Sequence, residues 1–74
     1  MTTTEFAMFL VEKKVKNVEI YDEFKKMFEE SDEGFLKKFS EVHGIDFGFL
    51  NKLSNQAKKN RFDVYINNLS CCFC

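Results

Sequence analysis

The stretch that decides the fold is Ser31–Phe47, SDEGFLKKFSEVHGIDF. Ser31 or Asp32 can cap a helix start, and Asp32 and Glu33 suit the positive end of the helix dipole. Phe35, Leu36, Phe39 and Val42 then recur at three- and four-residue steps, which predicts one buried helical face. Gly44 follows at once, at the place where a glycine can take the left-handed conformation that ends helices. Two residues later Asp46 can cap the next helix. One complete helix, with its start and stop signals and the start of a successor, fits in 17 residues. That density of punctuation predicts a bundle of short helices.

The pattern extends in both directions. Downstream, Phe49, Leu50, Leu53 and Ala57 form the inward face of a fourth helix, and Lys58 and Lys59 stand at its C-terminal end, where cations are favoured. Upstream, Thr2 or Thr4 can cap a first helix, and Thr2 with Glu5 has capping-box spacing. Phe6, Phe9, Leu10, Val11, Val15 and Val18 give it an apolar stripe. Asn17 marks a break or a second cap. Ile20, Tyr21, Phe24, Met27 and Phe28 make a second stripe with acids and lysines opposite. After Asn60 the period changes: Phe62, Val64 and Ile66 alternate with Asp63, Tyr65 and Asn67, which is strand spacing. The expectation is an all-α chain, a small bundle of about four short helices over residues 1–60. An extended segment follows at 61–69, then a cysteine-rich end at 70–74.

Composition agrees with one small folded domain. The 74 residues include ten Phe, no Trp and no Pro, with 45% hydrophobic and 31% charged residues. Such a chain is too short for a large core and relies on bulky side chains. The net charge of −1 argues against bulk nucleic-acid binding. Its distribution is uneven: residues 1–37 carry six lysines against nine acids, and residues 38–74 carry five basic residues against three acids. The longest apolar run, Phe6–Val11, is far below a membrane span, and the preceding MTTTE lacks the basic start of a secretory signal. A cytoplasmic protein with no membrane partner is expected.

All three cysteines, Cys71, Cys72 and Cys74, fall in the last four residues. Their odd number excludes a closed disulfide framework. With His43 they make a Cys3His set that zinc accepts, but adjacent cysteines lack the usual two- to four-residue gap, so no metal is expected. The fourth-from-last cysteine also has the position of a prenylation site, without the usual upstream positive charge. Catalysis has little support. There is one histidine, no glycine-rich loop and no third group to orient a nucleophile. His43 beside Gly44 is placed to cap a helix end. No enzymatic activity and no cofactor are expected.

The layout resembles the Nif-type (nitrogen-fixation-like) leader peptides that head precursors of ribosomally synthesised, post-translationally modified peptides. The matching residues are Phe9-Leu10, Tyr21 through Phe28, and the stretch 31–47. The likeness covers residues 5–57 and rests on pattern. The double-glycine-like cleavage site common in such leaders is not present; the glycines are at 34, 44 and 48. The resemblance implies a precursor whose helical leader binds a modifying enzyme, a peptide maturase of the same pathway. Phe9, Leu10, Phe35, Leu36 and Phe39 would then serve recognition, and Cys71, Cys72 and Cys74 would be modified. Phe62, Val64 and Ile66 can be read as an added strand on a recognition domain of that enzyme, or as apolar side chains folded back onto the helices. The other function class is a small helical interaction or inhibitor module, phage-type or lipid-anchored, with a thiol tail.

Overall fold

In the computed structural model, which describes residues 1–73 and side chains as far as Cys71, the chain is all-α. Five helices follow one another: α1 (Thr3–Lys16), α2 (Val18–Glu30), α3 (Glu33–His43), α4 (Phe47–Lys58) and α5 (Phe62–Phe73). None is long and apolar enough to cross a membrane.

Local chemistry sets the boundaries. Thr2 and Glu5 form the expected capping box: the Glu5 amide donates to Thr2 Oγ1 at 3.1 Å and the Thr2 amide to Glu5 Oε1 at 2.9 Å. Asn17 serves two helices. Its amide donates to the Lys13 carbonyl, and its side chain accepts from the Ile20 amide, so a single residue separates α1 from α2. Asp32 caps α3, accepting from the Phe35 amide at 2.8 Å, and Asp46 caps α4, accepting from the Phe49 amide at 2.9 Å. Ser31 is the C-cap of α2 and is buried. Gly44, at φ 67°, closes α3 through its amide to the Ser40 carbonyl. Asn60 takes the same left-handed conformation at φ 58° and turns the chain into α5.

The core is layered around Phe28. Its ring stacks on Phe62 at 6.2 Å and meets Phe6 and Phe39 edge-on at 6.1 and 6.2 Å. Leu10, Tyr21, Leu36, Ile45, Leu50, Leu53 and Ala57 complete it. The α2 helix lies against α4, α1 against α2 and α5, and α4 also against α3 and α5. Between α2 and α4 sits a satisfied polar knot. The Ser31 and Ser54 hydroxyls stand 2.9 Å apart and each lies within hydrogen-bond distance of the Phe28 carbonyl, so one donates to that carbonyl and the other donates either to it or to its fellow serine.

The segment expected to be extended is helical instead. Phe62 and Ile66, four residues apart, are fully buried, while Val64 between them is 59% exposed. Strand geometry would have put all three on one face. Isolated alternation over five residues fits either period, and burial against Phe28 and Tyr21 decided it. The radius of gyration is 11.4 Å, close to the ~11 Å of a compact chain this long, so α5 is part of the body and not a trailing tail. Four stripe assignments also change: Val15, Val18 and Val42 are exposed, and Phe35 is 41% exposed.

Candidate interaction surface

The residues expected to face a partner divide into two groups. Leu10 and Leu36 are fully or almost fully buried, as are Phe62 and Ile66. They hold the core and cannot touch a partner while the chain is folded. Phe9, Phe35 and Phe39 reach the surface. The strand reading of Phe62, Val64 and Ile66 is therefore replaced: two are core residues and the third faces outward on a helix.

The phenylalanines at this surface, partly buried apart from the exposed Phe35, are not scattered. Phe9 of α1 and Phe24 of α2 meet edge-on at 5.5 Å, and Phe6 joins both. Phe6 also contacts Phe39 of α3 at 5.7 Å, and Phe39 contacts Phe35 at 6.0 Å. Next along the helix, His43 packs its ring on Phe39 at 4.4 Å. The Phe39–His43 pair forms a ridge between two hollows. One, of about 160 Å³, is bounded by Phe35, Lys38 and Val42. The other, of about 170 Å³, is bounded by Phe6, Phe9, Phe24 and Ile45. A third hollow beyond Phe35 is lined by Met27, Glu30, Ser31 and Asp32. Each of the first two is about half the smallest usual small-molecule site and matches one large apolar side chain.

Sequence periodicity missed this surface because it gives the same signal for a core stripe and an exposed one. On the α3 helical wheel Val42, Phe35, Phe39 and Leu36 follow in that order across about 120°, and exposure falls along it: Val42 and Phe35 are exposed, Phe39 is partly buried and Leu36 is buried.

The chain matches no family model, no curated protein and no solved structure.

The last helix, α5, is tied down by Asp63. Its carboxylate accepts from the Tyr21 hydroxyl and pairs with Lys25 Nζ at 3.2 Å. Lys14 Nζ donates to the Asp63 carbonyl at 3.2 Å and also to the Asn67 side chain. The Tyr21 hydrogen bond, with Lys25 and Lys14, holds the Asp63 carboxyl below the usual carboxylate range. Burial and the Asp63 acceptor push the Tyr21 hydroxyl well above the usual phenol range.

Beyond this clasp, Leu69 is partly buried and Cys71 is exposed on the last turn of α5. The Cys72 side chain and Cys74 lie outside the described residues. Among the described residues, no three His, Cys, Asp or Glu side chains are grouped to hold a metal ion. His43 belongs to the aromatic ridge on α3, and Cys71 to the end of α5.

Proposed function

We propose that this chain is a precursor substrate. Its helical body is recognised by a maturation enzyme that modifies the terminal cysteines. The observation that carries the reading is the position of Cys71: exposed on α5, five residues beyond the fully buried Ile66. Between Ile66 and Cys71 the burial is partial, at Leu69 and Ser70. A terminal helical turn frays at low cost, so Ser70–Cys74 can enter an active site while the body stays folded. Tethering then raises the local concentration of the cysteines, and their own affinity can be weak. A thiolate is also the most nucleophilic side chain available to such an enzyme.

In this reading the chain supplies no catalysis. The leader is the whole five-helix body as far as Ile66, and recognition falls to the surface of Phe9, Phe35 and Phe39. The test is the intact mass of the chain from its own host, with fragmentation of the last ten or so residues. A mass change confined to Ser70–Cys74, removed by Cys→Ala changes there, supports the precursor reading. Three unmodified thiols in the presence of the pathway would end it.

One observation favours a second reading, a helical interaction or inhibitor module: the aromatic surface lies on α1, α2 and α3, whereas Cys71 is on α5. Deleting residues 70–74 separates the two. A module keeps its partner's function under control without them, whereas a precursor has nothing left to be modified.

A further inference from the structure

The ridge and its two flanking hollows specify a kind of partner. Three features of the surface set its chemistry. First, every helix here satisfies its backbone internally, and among the described residues there is no strand and so no sheet edge. An incoming chain gains no ladder hydrogen bonds and must satisfy its own backbone, which a helix does. Second, the two hollows share the Phe39–His43 ridge as a common wall, and each takes one large side chain. Side chains three or four residues apart on a helix leave Cβ atoms about 5–6 Å apart on one face, and large side chains diverging from there can fall on either side of one aromatic ridge. Third, the charged side chains at the rim are lysines. Lys38 lines the first hollow, and Lys13 Nζ stands 5.3 Å over the Phe9 ring. No carboxylate lines either hollow. Lys13 and Lys38 have no ion-pair partner among the described residues, although acids outnumber bases in the chain.

We propose that this surface receives an amphipathic helix of the partner, with two large apolar side chains one turn apart astride Phe39 and acidic residues along the flank over Lys13 and Lys38. Glu30 and Asp32 at the third hollow repel that flank, so the acidic end of the partner helix is held at the Phe39–His43 end of the groove. The inference rests on the precursor reading only in taking the maturation enzyme as the owner of that helix. The groove chemistry is independent of the cysteines.

The test uses the full chain and a displayed library of amphipathic helices of about 16 residues, with apolar spacing and flank charge varied. Enriched helices are expected to carry large apolar pairs at i,i+3 or i,i+4 and Glu or Asp on the flank. Their binding should weaken at least about tenfold against Val42→Glu, as for loss of a central anchor contact. Lys38→Glu should weaken them about fivefold, and added salt should act in the same direction. Both positions are exposed, and unchanged circular dichroism confirms that the variants fold. Basic or randomly spaced winners overturn the proposal. So does equal binding to wild type and Val42→Glu, or failure of any helix to enrich. Failure of the groove and failure of the precursor reading remain distinguishable. Helix binding without any cysteine modification in the host sinks only the precursor. Modification that proceeds unchanged on Val42→Glu, with no helix enriched, sinks only the groove.

Discussion

The Tyr21 hydroxyl of α2 donates to the Asp63 carboxylate of α5, and the chain's last helix is fastened to its middle through this bond. Lys25 and Lys14 converge on the same residue from α2 and α1. Asp63 is half exposed, so solvent screening limits the ion pair. Replacing Asp63 with Ala is expected to cost about 1–2 kcal/mol, mostly through the hydrogen bond to the buried Tyr21. The pH dependence follows from the two shifts. Asp63 is depressed in the folded state, so its contribution is complete above the ordinary carboxylate pKa of about 4 and is lost as pH falls through the lower folded value. Tyr21 is raised, so its contribution is present below about pH 10, the ordinary phenol value, and is lost as pH climbs beyond it. Thermal melts from pH 2 to 6 should show a smaller acid slope for Asp63→Asn than for wild type. Parallel slopes would show that Asp63 is not clasped.

The helical reading of residues 62–66 makes a positional prediction. Val64→Asp is expected to change stability by less than about 0.5 kcal/mol, as for a surface substitution. Phe62→Asp and Ile66→Asp each bury a charge in the core, at Phe62 against the Phe28 ring, and are expected to unfold a domain this small. Denaturant titration of the three variants checks it. A Val64→Asp variant as damaged as the other two restores the strand face.

Most of the fold was legible because the signals were chemical as well as periodic. Thr2 with Glu5, Asn17, Asp32, Gly44 and Asp46 each stand where the structure uses them as a cap. What failed was reading a face from a short apolar run. In residues 62–66 two periods fit the same letters, and the segment has no capping side chain of its own: the Arg61 carbonyl simply accepts the first helical bond, from Tyr65. The surface was half legible. Phe9, Phe35 and Phe39 were singled out and do reach it, but so were Leu10 and Leu36, which do not. Periodicity gives the azimuth of a side chain on its helix. How many neighbouring helices cover that azimuth is a property of the whole bundle.

Gly44 and Asn60, both left-handed, respond differently to substitution. Gly44 sits at φ 67° with ordinary clearance for a side chain, so Gly44→Ala is expected to cost about 1 kcal/mol from backbone strain alone. Asn60 holds a similar conformation with a side chain already present. Asn60→Gly relieves that strain, offset by the entropy glycine adds to the unfolded chain, so its net change should be within about 0.5 kcal/mol. Melting temperatures of the pair settle the sign. A stabilising Gly44→Ala would mean that α3 does not end in the left-handed turn.

The accessibility of the helix end sets the last prediction. In a Cys72→Ser, Cys74→Ser background, Cys71 is the single thiol. It is exposed on the final turn of α5, five residues past the fully buried Ile66. Alkylation should therefore proceed in the folded protein within about threefold of the rate for the unfolded chain at pH 8. It should also be insensitive to Ile66→Val, a core change that lowers global stability by about 1 kcal/mol. A thiol reached only by global unfolding would react faster in that variant, by roughly the fivefold that 1 kcal/mol represents. Hydrogen exchange gives the same distinction along the backbone: amides at 70–72 should exchange through fraying, far faster than those of Ile66 and Tyr65. Protection at the helix end equal to that at Ile66 would mean that the cysteines cannot be presented without unfolding the body. The precursor mechanism would then lose its physical basis.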